Sequence, residues 1–290
     1  MRLVRYANGG KISLGALLGD CVIDLPRLCG APVEMAALLA SPQALENARE
    51  ALSRSFSWEQ DCLLPVPTLT LLPPLPTPGK IIGVGLNYPS VGQDRKAARP
   101  AYPVLFERNA GSLVGPGAAV RLPREARQVA IECELALVVG RGGRRIPESH
   151  DLEALAGYTL ANDVTARDLE RRTSQWTSGK LFDAFLPLGP AVVTRDEVPD
   201  PGALQIRSWI NEDLVQDGSS GDMLYAPAEL VAYISSLISL QAGDLILTGS
   251  PKCLGSSAAP EVYLQPGDQV RLEIERLGVL ENSVEADLND

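Results

Sequence analysis

Short apolar runs separated by turn residues dominate the start of the chain. Alternation of apolar and polar positions, with glycine-containing turns between the runs, is typical of short antiparallel strands. The runs predict three strands, at Leu3–Tyr6, Lys11–Leu17 and Cys21–Asp24. A helical spacing follows over Val33–Ser53, and Ser41 in front of a proline predicts that a second helical segment starts there.

A proline-rich stretch separates this region from the rest of the chain. Six prolines lie between Pro65 and Pro78, and proline excludes a helix interior and most internal strand pairing. The stretch therefore predicts an extended linker. We place a domain boundary there, with a small β-rich N-terminal domain over residues 1–70 and a larger domain over residues 71–290.

The larger region has many short β segments and few helices. The predicted strands are Lys80–Leu86, Val129–Val139, Tyr158–Asp163, Ala191–Thr194, Leu204–Ile210, Leu245–Thr248 and Val270–Ile274. The predicted helices are Glu148–Ala156 and Ala228–Ile238. Strands and helices do not alternate regularly, so the pattern predicts a mixed, β-rich α+β fold and not a doubly wound one. Residues 87–103 are polar and contain glycine and proline, and we expect them to act as a lid.

The charge balance narrows the possible partners. The 290 residues include 26 basic and 36 acidic side chains, a net charge of −10, which argues against a nucleic-acid binder. No stretch approaches the roughly 18 apolar residues of a membrane helix, and the N-terminus has no apolar signal region. Five cysteines without a Cys-x-x-Cys spacing indicate reduced thiols. We therefore expect a cytoplasmic protein that binds neither nucleic acid nor membrane.

Two acidic residues interrupt the most apolar predicted strand. Glu132 and Glu134 are two positions apart, so in a strand both side chains point to the same face, while Cys133 and Leu135 point to the other. Neighbouring carboxylates repel each other and need arginines, protons or a cation to neutralise them. The alternative is a half-exposed edge strand with two solvated glutamates.

A third carboxylate favours a metal site. Asp163 ends a predicted apolar strand, where it could also act as the N-cap of the following turn. Three carboxylates and open positions for water suit Mg²⁺ or Mn²⁺, which prefer oxygen ligands. No histidine or thiolate is positioned to favour zinc.

Seven motifs, in the expected order between Lys80 and Asp287, resemble the fumarylacetoacetate hydrolase family. They are Lys80–Tyr88, Glu132-x-Glu134, Asn162–Asp168, Gln175–Asp183, Pro187–Pro190, Gln216–Gly218 and Leu247–Pro251. The first 70 or so residues also resemble the small β-rich domain that precedes the catalytic domain in bacterial members.

The resemblance implies a β-roll catalytic domain, usually in a homodimer, with Mg²⁺ or Mn²⁺ bound by Glu132, Glu134 and Asp163. It implies a substrate with a 2-oxo acid or β-dicarbonyl group that reacts through an enolate stabilised by the metal. Lys180 matches the active-site lysine of the family. The substrate-binding residues that it implies are Thr248, Gly249, Tyr158, Gln216 and Arg108.

The chain departs from the family pattern in the expected lid. Hydrolytic and decarboxylating relatives carry a histidine and, three residues on, a glutamate that activate water. Val91 and Asp94 stand at those positions here, and valine cannot take a proton. Asp94 therefore remains a candidate catalytic residue beside Lys180. The only histidine, His150, is expected on the surface near a helix start and does not replace the missing base.

These residues favour isomerisation, tautomerisation or decarboxylation. The alternatives are a C–C hydrolase of acylpyruvate or fumarylpyruvate type, a ring-closing or C–C-forming enzyme of a specialised biosynthetic pathway, and a non-catalytic binding protein. Two glycine motifs do not indicate nucleotide binding. Gly83-Val84-Gly85 lacks the third glycine of a dinucleotide fingerprint, and Ser178-Gly179-Lys180 lacks the upstream glycine of a P-loop.

Overall fold

Nineteen strands and six α-helices make up the regular structure of the computed structural model, which describes residues 1–54, 62–89, 93–148, 152–252 and 262–287. The strands are β1 Arg2–Asn8, β2 Lys11–Leu18, β3 Cys21–Asp24, β4 Leu63–Pro65, β5 Thr70–Leu72, β6 Ile81–Gly85, β7 Val104–Glu107, β8 Leu113–Val114, β9 Val120–Leu122, β10 Val129–Ala130, β11 Cys133–Val139, β12 Leu155–Asn162, β13 Thr165–Ala166, β14 Leu186–Thr194, β15 Gln205–Ile210, β16 Asp213–Ser219, β17 Leu245–Leu247, β18 Gln269–Ile274 and β19 Gly278–Ala286. The helices are α1 Leu25–Cys29, α2 Met35–Ala40, α3 Pro42–Ser53, α4 Arg95–Ala98, α5 Arg167–Glu170 and α6 Pro227–Leu237.

One large sheet organises the molecule. Its strand order is β4-β3-β2-β1-β14-β12-β11-β17-β6-β7, with β5 added to β1 and β8 added to β14. A second sheet, in the order β16-β15-β18-β19-β9, packs against β11, β12 and β14. Strands β10 and β13 form a two-stranded sheet. The mixed, β-rich α+β class predicted from the sequence is confirmed.

Strand β11 is central in the large sheet, and it is buried on both of its faces because a hydrophobic core lies on each side of it. Leu135 and Leu137 belong to the core between the two sheets. Ala136 and Val138 face a second core, which includes Leu38 from α2. A carboxylate on this strand is therefore enclosed by protein, unlike a glutamate on a solvated edge strand.

The N-terminal strands continue the large sheet. Strand β1 pairs antiparallel with β14, with Arg2 opposite Val193. Two short strands, β4 and β5, lie where the sequence predicted an extended linker, and they pair with β3 and β1. Pro65 is accommodated because β4 is at the edge of the sheet, where a missing N–H leaves no bond unmade. The domain boundary near residue 70 stays a prediction.

Two predicted elements differ in detail from the elements of the structure. The strand predicted over 129–139 is split into β10 and β11, with Glu132 between them. Within the helix predicted over 148–156, the described residues show only a 3₁₀ turn at Leu152–Ala154 before β12 begins. His150 lies outside the described residues. No helix of the described ranges has the length and apolar character needed to cross a bilayer.

Limited proteolysis is expected to cut the folded protein first within 87–103 or 64–79 and to spare 129–139, which lies in the middle of the large sheet. Trypsin reports on the first segment because Arg95 and Lys96 are exposed. The second segment contains no lysine or arginine, so a non-specific protease is needed there. Mass spectrometry of the first fragments checks the order, and early cleavage inside 129–139 would contradict it.

Candidate active site

A cavity of about 470 Å³ lies where several elements of the large sheet end. Its walls come from the end of β6, the start of β11, helix α5, the 3₁₀ segment Trp176–Gly179 and the segment 249–252. Polar and apolar surfaces meet in it. The polar part contains Glu132, Glu134 and Lys180.

Three carboxylates converge at the polar end of this cavity. Glu134 is on β11, and Asp163 follows the last residue of the neighbouring strand β12. Cys133 pairs with Asn162 across these strands, so the residues that follow each lie close together. One oxygen from each of Glu132, Glu134 and Asp163 lies within 4.8 Å of the other two. The three carboxylates that the sequence analysis selected therefore lie close together.

Glu132 reaches the cluster by a route other than strand alternation. It lies in the gap between β10 and β11, and two backbone hydrogen bonds hold it there. Its N–H donates to Asn162 Oδ1 at 3.1 Å, and its carbonyl accepts from the N–H of Asp163 at 2.9 Å. The expectation that Glu132 and Glu134 share one face of one continuous strand is wrong, although both carboxylates face the same cavity.

Three cations surround the carboxylates. Lys180 Nζ lies 3.1 Å from Glu132 Oε2 and also donates a hydrogen bond to Asp163 Oδ2. Arg167, at the start of α5, donates from Nη2 to Glu132 Oε1 at 2.6 Å. Arg108 Nη1 lies 2.8 Å from Asp163 Oδ1. Glu134 instead accepts a hydrogen bond from the backbone N–H of Gly249 at 2.8 Å.

The unequal placement of these cations shifts the pKa values of the two glutamates in opposite directions. Burial, followed by the charges of Asp163 and Glu132, raises the pKa of Glu134 well above its ordinary value. Burial alone would raise the pKa of Glu132 too, but Arg167 and Lys180 outweigh it and lower that pKa to about 2. Burial alone would lower the pKa of Lys180, but Asp163 and Glu132 raise it above its ordinary value.

This donor set fits a hard divalent cation. All three acidic side chains offer oxygen, the ligand atom that Mg²⁺ and Mn²⁺ prefer. Asp163 is fully buried and Glu134 is nearly so, and solvent therefore screens the repulsion between these two carboxyl groups poorly. The raised pKa of Glu134 reports the same crowding, and a bound cation would relieve it.

Arg108 lies behind the cluster and not on the cavity wall. Its side chain is fully buried, and Nη2 donates to the carbonyl of Phe185 at 2.8 Å. Nη1 faces Asp163 and the carbonyl of Val164, at 2.8 and 3.3 Å. The prediction that Arg108 contacts substrate is therefore not supported by its position. Its guanidinium holds Asp163 from the protein side.

Arg108→Met is expected to lower the free energy of unfolding by about 3–5 kcal/mol, because it leaves a buried Asp163 carboxylate without one of its cations. Urea denaturation of the metal-free protein measures this. Arg207→Met is the matched control, since Arg207 pairs with Asp217 on the exposed surface and such pairs contribute less than about 1 kcal/mol. Equal losses in the two variants would contradict the assigned position of Arg108.

Three predicted substrate-binding residues lie next to the carboxylates. Gly249 lines the cavity. The hydroxyl of Thr248 donates to the carbonyl of Leu135 at 2.9 Å, which fixes the turn that carries Gly249. Gln216 also lines the cavity, but its amide accepts from the N–H of Cys133 at 3.0 Å and donates to the carbonyl of Pro251 at 2.6 Å. Contacts of these residues with substrate stay predictions.

Two predicted site residues lie elsewhere. Tyr158 is buried opposite Leu137 in the core between the sheets, on the face of β12 that points away from the carboxylates. The expectation that it lines the pocket is therefore wrong in this structure. Asp94 is exposed just before α4, outside the described lining of the cavity, and its backbone carbonyl accepts from the N–H of Ala98. Val91 lies outside the described residues.

Sequence reasoning missed several residues of the cavity. Arg167 is four positions after Asp163, and the need to neutralise paired carboxylates was a usable signal for it. Tyr88 is buried in the wall. Phe106 and Trp176 form an apolar wall beside Lys180. Aromatic residues give no such signal before the fold is known.

The comparison with protein families agrees with the motifs and the site. Residues 80–285 match the family described as fumarylacetoacetate (FAA) hydrolase, C-terminal. That range contains all three carboxylates, Lys180 and the strands that position them. The chain therefore belongs to the fumarylacetoacetate hydrolase family, whose named members here include tautomerases, isomerases and hydrolases.

Individual relatives match along nearly the whole chain. The mitochondrial oxaloacetate tautomerase of Rattus norvegicus is 38% identical over 98% of this chain and 91% of its own length. The mitochondrial oxaloacetate tautomerase FAHD2A of Homo sapiens is 39% identical over the same shares. The maleylpyruvate hydrolase of Sphingobium sp. SYK-6, solved with manganese(II) and pyruvate, has a TM-score of 0.82 and 28% identity, and the match covers 99% of each chain.

Proposed function

We propose that this protein is a divalent-metal-dependent tautomerase of small 2-oxo acids, with oxaloacetate as its first candidate substrate. The observation that carries the proposal is the largely buried Glu132–Glu134–Asp163 cluster with Lys180 against it, beside an open cavity. Whole-length relatives named oxaloacetate tautomerases support the choice of reaction and substrate.

Glu132, Glu134 and Asp163 would hold Mg²⁺ or Mn²⁺. Such an ion would supply Lewis-acid chemistry, which would make the C3 protons of a bound 2-oxo acid more acidic. A manganese ion in the Sphingobium maleylpyruvate hydrolase supports this choice of metal class. Arg167 fixes the orientation of Glu132. Arg108 does the same for Asp163 from the buried side.

Lys180 is the group that we assign to proton transfer. Its Nζ borders the cavity and sits between Glu132, Asp163 and the hydroxyl of Thr165, at 2.8 Å from the last. Ketonisation needs a proton delivered to C3 and one removed from the enol oxygen, and enolisation is the reverse. The enol hydroxyl loses its proton to solvent water, and a charged Nζ stabilises the negative charge that this leaves on the oxygen. Nζ then donates a proton to C3 and takes up a proton from solvent, which restores its charge.

A second candidate is hydrolysis of a C–C bond in an acylpyruvate. Its support is the structural similarity to the maleylpyruvate hydrolase. Asp94 stands at the position of the water-activating glutamate, but it is exposed and is not among the described residues that line the cavity, so tautomerisation is favoured. Decarboxylation of oxaloacetate uses the same Lewis-acid chemistry and is tested with the same substrate. The homodimer and the cytoplasmic location stay predictions, and both tautomerases named above are mitochondrial.

Product analysis of the metal-loaded protein tests the proposal. The substrates are enol-oxaloacetate, acylpyruvates, fumarylpyruvate and 2-hydroxyhepta-2,4-diene-1,7-dioate, each with Mg²⁺ and with Mn²⁺. Faster loss of the ultraviolet absorbance of the enol, with keto-oxaloacetate as the only product, is the expected result. Formation of pyruvate from oxaloacetate would indicate decarboxylation. Cleavage of an acylpyruvate into pyruvate and a carboxylic acid would indicate hydrolysis. Metal binding without any turnover would contradict an enzymatic function on these substrates.

A further inference from the structure

Two glycines of β6, which do not form a dinucleotide-binding motif, have a role in packing. Gly83 pairs across the sheet with Phe106, whose ring lies directly over it, and a Cβ at Gly83 would be 2.2 Å from that ring. A Cβ at Gly85 would be 2.1 Å from the six-membered ring of Trp176. Only glycine at both positions lets the two rings lie on the backbone of the strand.

The two rings form one wall of the active-site cavity. They meet edge to face, with centroids 5.8 Å apart and an interplanar angle of 71°. The ring of Phe106 is 4.7 Å from Lys180 Nζ, within the range of a cation–π contact. Trp176 opens the short 3₁₀ segment that leads to Lys180. The wall therefore lies beside Lys180, through the ring of Phe106 in space and through Trp176 in the sequence.

The two glycines of β6 offer no side chain that could replace this wall. Gly83 and Gly85 have no side chains, so the space above the strand at these positions is filled by the aromatic rings. Truncation of Trp176 would extend the cavity down to the strand backbone at Gly85. The indole ring thus limits how far the cavity reaches on the side of Lys180.

We infer that Trp176 determines substrate specificity, by limiting the length of the group that a 2-oxo acid carries beyond C2. The inference rests on the proposed function, which places the 2-oxo acid head at the carboxylate cluster. A substituent that passes Lys180 meets the indole ring. A short substituent, such as the carboxymethyl group of oxaloacetate, fits between the carboxylate cluster and the indole ring. A longer chain needs the volume that the ring occupies.

Binding of a chain-length series to the Mg²⁺-loaded protein tests this inference without relying on turnover. Calorimetry gives Kd for pyruvate, 2-oxobutyrate, 2-oxopentanoate and 2-oxohexanoate. The ratio of the Kd for pyruvate to the Kd for 2-oxohexanoate is expected to rise about tenfold in Trp176→Leu, because one methylene in a fitted pocket already changes affinity by about this factor. Trp176→Phe, which keeps an aromatic ring of smaller size, is expected to give an intermediate ratio.

Trp209→Leu is the matched control. Trp209 is on β15 in the second sheet, where Arg271 lies over its ring at 5.1 Å, and it is not among the described residues of the cavity. Its ratio should equal that of the wild type. An unchanged ratio in Trp176→Leu and Trp176→Phe, or an equal change in Trp209→Leu, would overturn the inference alone. A wild type that binds none of the four acids would overturn the proposed function and this inference with it.

Discussion

Glu134→Gln is expected to abolish divalent-metal binding and to lower turnover by about a thousandfold or more. The substitution keeps the shape of the side chain and the oxygen that accepts from the N–H of Gly249. It removes one of three charged oxygen ligands, and loss of Lewis-acid assistance is worth several kcal/mol, or about three powers of ten in rate. Calorimetric titration with Mn²⁺ and the enol-oxaloacetate assay measure the two effects.

The same variant should fold at least as stably as the wild type in the absence of metal. Burial and the neighbouring carboxylates oppose a charge on Glu134, so a neutral amide relieves repulsion with Asp163 and Glu132. The melting temperature of the metal-free variant should therefore be equal or higher, while the increase on adding metal disappears. Glu285→Gln, at an exposed position of β19, is the control that retains both metal binding and activity. Tight Mn²⁺ binding by Glu134→Gln would refute the proposed ligand set.

Lys180→Met is expected to lower turnover by about 10²–10⁴-fold, the usual contribution of a positioned acid or base. Unlike Glu134→Gln, it should leave metal binding intact or strengthen it, because the buried ammonium no longer competes for Glu132 and Asp163. The two variants therefore separate the metal from the proton carrier. Steady-state kinetics with saturating metal, together with Mn²⁺ titration, distinguish these results.

Stability provides an independent readout of the same change. Removal of the ammonium leaves two carboxylates with fewer cations, and breaking a buried ion pair lowers the free energy of unfolding by about 3–5 kcal/mol. Added Mg²⁺ or Mn²⁺ should restore more stability to Lys180→Met than it adds to the wild type. Lys11→Met, at an exposed position of β2, should show neither effect. A variant with normal turnover would remove Lys180 from the mechanism.

The carboxylate cluster was predictable because its residue types conflict with their surroundings. Glu134 interrupts an apolar strand, and a buried carboxylate needs a compensating charge wherever the strand lies. The position of Glu132 was less predictable, because it lies in the gap between β10 and β11, where it donates a hydrogen bond to Asn162 Oδ1 and accepts one from the N–H of Asp163. These partners are about 30 residues away, and local alternation carries no information about them.

The failures at Tyr158 and Arg108 have a related cause. Strand β12 is buried on both faces, so alternation separates its side chains into two sets without telling which set faces the cavity. Arg108 follows β7, and only the tertiary arrangement places its guanidinium on the protein side of Asp163. The fold class follows from the strands and helices, which the hydrophobic pattern predicts well. The site depends on which strand faces line the cavity, and the pattern does not predict that.

The pairing of β1 with β14 also has a consequence for biosynthesis. Arg2 cannot pair with Val193 until the ribosome has made about 190 more residues, which takes roughly 10–40 s at the usual speed of synthesis. During that time β1 would present an unpaired edge, a common starting point for aggregation. Strand β5 pairs with the other half of the same edge, with Arg5 opposite Leu72, and it emerges much earlier. The segment at 70–72 can thus cover residues 5–7 of this edge early, which leaves only its first residues unpaired until β14 is made.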